Sequence, residues 1–293
     1  MDQKKKVLFI INPIAGTRKK KEVPALVQSL LDPKIFESEI TYTKFHGHAR
    51  TLAIDAALHN VDYVMAVGGD GTVNDIANGL MNTQTTLGII PCGSGNGLAR
   101  HLGIPIDNIG ALHLLQQQKT QRIDGGLANG KAFFCTAGIG FDAHIGRLFS
   151  TSRRRGFNTY MSTTLREIFV YEPQVYTIVL DGETFHKKAF SITLANASQF
   201  GNNAYIAPQA DIKDGFLDLC IVNEYPKKYA FHLGYRLFNK TINQSRFVET
   251  KRVKEITISV DKGKWFHLDG EYMELEDRLH IQIISSCLNV LVP

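Results

Sequence analysis

The chain has 293 residues, 44% of them hydrophobic, and a formal net charge of +5. That is enough to bury a sizeable core, more naturally as two domains than as one, and too mild a charge to imply nucleic acid without a basic, aromatic-laced stretch, which is missing. With no apolar run of about 18 residues and a Lys4-Lys5-Lys6 start leading straight into a short strand, neither a membrane span nor a secretory leader is expected, and the chain reads as soluble and cytoplasmic.

Four cysteines, Cys92, Cys135, Cys220 and Cys287, lie far apart without a CxxC pair, which argues against a disulfide scaffold and a zinc site. In chain order, short β-branched runs at Val7–Asn12, Glu39–Thr43, Asp62–Val67 and Thr86–Pro91 predict strands, each followed by a helix. Nearly all-apolar strands alternating with helices predict a parallel sheet covered on both faces, whose ligands bind at the carboxyl ends of the strands.

After Asp124 the rhythm changes to period two. Val175–Leu180, an Asp181-Gly182 turn, Phe185–Asn196, Phe216–Val222, Glu255–Val260 and Leu279–Ile284 predict antiparallel strands. Helices are predicted over Phe157–Val170, with Tyr160, Met161, Leu165, Ile168 and Phe169 on one face, and over Lys228–Phe238; both apolar stripes read as core. The expected organisation is an α/β domain over residues 1–124 and a β-rich domain over 125–293, with a nucleotide cleft between them and the last strands free to return to the first domain.

The strongest local signal is Gly68-Gly69-Asp70-Gly71-Thr72, after a strand and before Val73, Ile76, Ala77 and Leu80 at helical spacing. Glycines let the backbone approach a phosphate closely, and the free N–H groups that open the next helix point at it. A carboxylate there repels phosphate unless a cation intervenes, so Asp70 predicts a bridging magnesium ion. The following strand ends in Cys92-Gly93-Ser94-Gly95-Asn96-Gly97, and the first in Asn12-Pro13-Ile14-Ala15-Gly16. None fits the P-loop or Rossmann pattern.

These loops, with Thr43 and His48-Ala49, resemble the catalytic domain of diacylglycerol kinases, sphingosine kinases and their bacterial relatives. The resemblance continues through Arg122-Ile123-Asp124, Gly138–Asp142, Ala207–Asp218 and Leu268-Asp269-Gly270-Glu271, in order. It implies an NAD-kinase-like parallel first domain, a lipid kinase using ATP and magnesium, and peripheral contact with the inner face of a membrane.

Residue by residue, the resemblance implies nucleotide contacts at Asn12, Pro13, Ile14, Ala15, Gly16, Thr43, Gly68, Gly69, Asp70, Gly71, Thr72, Val73, Asn74, Ser94, Gly95 and Asn96. It implies Glu271 as the base that takes the proton from a lipid hydroxyl, with Asp70 as the rival base or the magnesium organiser. Asp124 is implied near the reacting groups, Asp142 by the lipid head, and a structural magnesium at Asp211, Asp214 and the Phe216 carbonyl.

One departure is Gly97, where bacterial diacylglycerol kinases often carry aspartate; the sequence there leans toward the sphingosine-kinase form. The alternatives are a sphingosine or long-chain-base kinase, an NAD-kinase-like enzyme of a soluble metabolite, or a silent nucleotide- or lipid-binding protein. The basic cluster Arg153–Arg155, with the neighbouring aromatic helix, is the expected membrane contact, although alone such a cluster reads as a solvated face. No nucleic-acid partner is expected, and a homodimer is left open because nothing in the sequence fixes the oligomeric state.

Overall fold

The computed structural model describes residues 4–14, 18–151, 157–260 and 265–293. The chain divides into two compact units, Met1–Ile123 with Ser286–Pro293, and Asp124–Ser285.

The first unit runs β1 (Lys5–Ile11), α1 (Val23–Leu30), β2 (Phe36–Tyr42), α2 (His48–Leu58), β3 (Tyr63–Gly68), α3 (Asp70–Leu80), β4 (Thr86–Pro91), α4 (Gly97–His101) and α5 (Asn108–Gln117). Its strands pair in parallel in the order β4-β3-β1-β2, and the chain's end joins the β4 side where Val290 pairs with Leu87. Every residue of β3 and β4 is buried, the state of parallel strands covered on both faces. On α3 the buried residues include Val73, Ile76, Ala77 and Leu80, the spacing predicted from sequence. Because the four strands run the same way, their carboxyl ends share one edge of the sheet.

The second unit holds β6 (Lys131–Phe133), β7 (Thr136–Gly140), α6 (Phe141–Thr151), α7 (Phe157–Glu167), β8 (Gln174–Leu180), β9 (Glu183–Ala195), β10 (Leu217–Asn223), α8 (Ala230–Phe238), β11 (Val248–Val253), β12 (Glu255–Val260), β13 (Trp265–Leu268) and β14 (Glu271–Glu274). The strands β5 (Thr120–Ala128) and β15 (Arg278–Leu291) contribute residues to both units. Pairing is antiparallel in the order β14-β13-β7-β9-β8-β12-β15, with β10 between β9 and β11. Two-residue loops at Asn129-Gly130, Asp181-Gly182 and Asp269-Gly270 have positive φ at both positions, the requirement of the type I′ turn whose twist matches the strands it joins. One core gathers Ile178, Ile192, Leu194, Leu219 and Ile258, and a second gathers Phe141, Ile145, Phe190, Ile206 and Leu233.

The two helical stripes read as core are corrected here. On α8 only Ala230 and Leu233 are buried, whereas Phe231, Tyr235 and Phe238 are exposed. Beside them Leu165 and Phe169 are exposed too, and only Ile168 packs against the second core; the side chains of Tyr160 and Met161 lie outside the described residues. Among the described residues no helix is long and apolar enough to cross a membrane.

Candidate active site

At the carboxyl edge of the parallel sheet three loops are stitched together by side chains. Asn12, after β1, donates from Nδ2 to Thr72 Oγ1 at 3.0 Å and accepts the Ile14 N–H on Oδ1 at 3.1 Å. Asp70 opens α3, and its two carboxylate oxygens accept the backbone N–H groups of Asn96 (2.8 Å) and Gly97 (2.7 Å). Asn96, left-handed at φ 53°, closes its own loop by accepting the Gly93 N–H and donating to the Gly93 carbonyl, each at 2.9 Å.

Close approach explains the glycines. A Cβ on Gly95 would lie 2.7 Å from Asp70 Oδ2, and one on Gly93 would lie 2.6 Å from the Gly69 Cα. The two loops therefore meet backbone against backbone. Gly69, the N-cap of α3, brings no side-chain cap, so this eleven-residue helix begins at an edge made of glycine backbone, the end of a helix that favours anions. Thr43 follows β2 at the same edge, its N–H on the Ile11 carbonyl at 3.0 Å. Ser94 is exposed, as are Pro13 and Ile14, while Val73 is buried and Asn74 half-buried; Ala15 and Gly16 lie outside the described residues.

Asp70 differs from expectation in one physical respect. Its charge is met by two backbone amides and by the positive end of α3, so a cation is not needed to make the loop tolerable to it. Gly97 takes part through its backbone, a bond any residue but proline would supply.

In the second unit the hairpin β13-Asp269-Gly270-β14 presents Glu271, the first residue of β14, exposed and paired across from Leu268. The hairpin is anchored by Asp269, whose carboxylate accepts the N–H groups of Phe134, Cys135 and Thr136 at 2.9, 2.8 and 2.9 Å. Asp142 opens α6 over β7; its Oδ2 accepts from Thr193 Oγ1 at 2.8 Å and lies 3.1 Å from His267 Nε2. The floor beneath is Gly138, where a Cβ would stand 2.7 Å from that carboxylate and 2.8 Å from the imidazole.

His267 was not singled out from sequence, yet the register pairs it with Gly138, and Gly138 in turn with Thr193, so the three share one face. Alternation around the Leu268-Asp269-Gly270 turn was the signal that could have found it. Tyr171 and Tyr176 close this region, and burial pushes the Tyr171 hydroxyl up to about 12 and the Tyr176 hydroxyl higher still.

Asp124 and the Asp211–Phe216 turn are tied to each other. Asp124 is only 1% exposed, and its Oδ2 accepts the Gly215 N–H at 2.8 Å while its carbonyl accepts from Asn196 Nδ2 at 3.0 Å. It anchors the Asp211–Phe216 turn. Within that turn Asp211 accepts the Lys213 N–H, Asp214 Oδ1 accepts the Phe216 N–H, and Asp214 Oδ2 is ion-paired with Arg252. The Arg252 guanidinium also lies 5.2 Å from the centroid of the Phe216 ring. Among the described residues no group of three or more His, Cys, Asp or Glu side chains is gathered to hold a metal.

Comparison with known proteins defines the class first. The fold is shared with an NAD kinase from Archaeoglobus fulgidus, at 12% identity, TM-score 0.52 and coverage of 97% of this chain and 93% of that one. Residues 6–128 match the family model described as the diacylglycerol kinase catalytic domain, and residues 135–292 match the YegS C-terminal NAD kinase beta sandwich-like domain. A diacylglycerol kinase of Bacillus subtilis is 30% identical over 284 residues, covering 92% of this chain and 90% of that protein. A solved diacylglycerol kinase from Bacillus anthracis superposes with a TM-score of 0.76 at 25% identity, covering 100% and 98%. The chain belongs to the diacylglycerol kinase family.

Proposed function

We propose that this chain is an ATP-dependent lipid kinase that moves the γ-phosphoryl group of ATP to a hydroxyl of a membrane lipid, diacylglycerol or a related alcohol. The observation that carries the reading is the pair of glycine loops after β3 and β4, held backbone to backbone by Asp70 where α3 begins. Oriented amides at a helix start stabilise phosphate oxygens without a side-chain charge. The NAD kinase that shares the fold was solved in complex with ATP, and the relatives carry the name diacylglycerol kinase. Magnesium enters with the nucleotide, as substrate, because such ions are commonly held by phosphates and water with few protein ligands.

Glu271 is the base in this reading. It stands exposed directly after a two-residue turn that Asp269 anchors, whereas Asp70, whose carboxylate accepts two backbone N–H groups, is the loop organiser. Asp142 belongs to the acceptor side, and the protein meets its lipid at a membrane surface.

The test is direct. Purified protein with γ-labelled ATP and magnesium is offered diacylglycerol, sphingoid base, ceramide, phosphatidylglycerol and polyprenol in mixed micelles; labelled lipid is expected, and label on NAD instead reverses the assignment. Glu271→Gln lowers turnover by about 100-fold or more with nucleotide binding unchanged. A fully active variant removes Glu271 as the base.

A further inference from the structure

The outer face of α8 is built the wrong way round for a helix in water. A surface helix ordinarily turns polar residues outward, but Phe231 and Tyr235, 67% and 65% exposed, stand with exposed Phe238 at i, i+4 and i+7 on one face. The patch extends beyond the helix. Phe231 meets Phe169 with ring centroids 5.9 Å apart, and Val170 and Leu165 are exposed beside it. Lys227 fixes the two pieces together by donating from Nζ to the carbonyls of Ile168 (3.0 Å) and Tyr171 (2.7 Å).

Charge says what covers this face. Between Glu224 and Glu249 the chain carries Lys227, Lys228, Arg236, Lys240 and Arg246 and no acidic residue. Lys228 and Lys240 are exposed, and Arg166 stands exposed at the end of α7. Aromatic residues on a helix face rimmed by lysine and arginine match the interface of an anionic bilayer, where rings sit at headgroup depth and cations meet lipid phosphates.

We propose that the face formed by α8 and the residues trailing α7 is the bilayer-docking surface of this protein, with an anionic membrane as its partner. It deepens the lipid-kinase reading and rests on it only for its purpose, since vesicle binding is read without turnover. The cluster expected from sequence, Arg153–Arg155, lies outside the described residues and is not needed for this surface.

The experiment uses the full chain with vesicles of phosphatidylcholine alone or mixed equally with phosphatidylglycerol, read by co-sedimentation. Wild type is expected on the anionic vesicles and released by salt. The double variant Phe231→Ser with Tyr235→Ser lowers partition by about ten-fold or more. Lys228→Glu lowers it by about five-fold or more, and so does Lys240→Glu, without touching the apolar face. Unchanged thermal unfolding certifies the variants, and Phe238→Ser serves as a milder version.

Variants that bind anionic vesicles like wild type overturn the proposal. So does a wild type that ignores vesicles and is instead a dimer dissociated by Phe231→Ser. Vesicle binding with no acceptor labelled supports this surface and removes the kinase reading; labelling of a short-chain, water-dispersed acceptor without vesicle binding does the reverse.

Discussion

Asp70 in the first unit and Asp269 in the second do the same physical work in different settings. Each carboxylate gathers backbone N–H groups from a distant segment, two from Asn96 and Gly97 for Asp70, three from Phe134 to Thr136 for Asp269. The settings differ in what is left over. Around Asp70 the product is a glycine edge at the start of a helix; around Asp269 it is a fixed turn followed directly by Glu271. An aspartate inside a glycine-rich turn is thus no sign of metal or base chemistry until the donors its carboxylate accepts from are known, and in both turns backbone N–H groups are among them.

Three substitutions separate the roles of these carboxylates. Removing the acceptor of three amides costs most: Asp269→Ala is expected to lower unfolding stability by about 4 kcal/mol, read by denaturant melts, because each charge-assisted bond contributes and its donor is then stranded. A loss under about 1 kcal/mol would show that the amides find other partners. Next is Asp70→Asn, expected to lower nucleotide affinity by about ten-fold. Calorimetry with and without magnesium separates the two roles: a loop clamp weakens both titrations alike, whereas a metal ligand weakens only the one with magnesium.

The smallest effect concerns Asp75, five residues along α3. Burial pushes its carboxyl above the ordinary value of 3.8, with His46 and Arg50 pulling it part of the way back. A raised carboxyl means that its contribution is fully present below the unfolded value and lost as pH rises through the folded one. Asp75→Asn is therefore expected to melt slightly higher than wild type at pH 7, and the gain should vanish when both are melted below pH 3.8. A variant that melts lower at both pH values would show Asp75 to be a bonded residue like Asp70.

Much of the fold was legible in the residues. β3 and β4 were readable because continuous burial leaves an unbroken apolar run, and β8 because one-sided burial leaves alternation. The Asp181-Gly182 hairpin announced itself through its turn chemistry. β7 and β11 were not found: β7 is Thr-Ala-Gly-Ile-Gly, its glycines dictated by Asp142, His267 and the neighbouring strand, and β11 shows four exposed residues in a row. Of the candidate site, the glycine loops were visible and their stitching was not. Asp142 was named without His267 and Thr193, and the inward-facing Asp124 and the Arg252 partner of Asp214 had no local mark.

Sequence alone determined the fold class and the positions of the phosphate-compatible loops, because periodicity, turn residues and the need for a missing Cβ are local properties of the chain. Tertiary structure alone decided which partner each carboxylate holds and which face of α8 meets solvent. Those outcomes depend on contacts between residues dozens of positions apart, whose energies no short window of sequence contains.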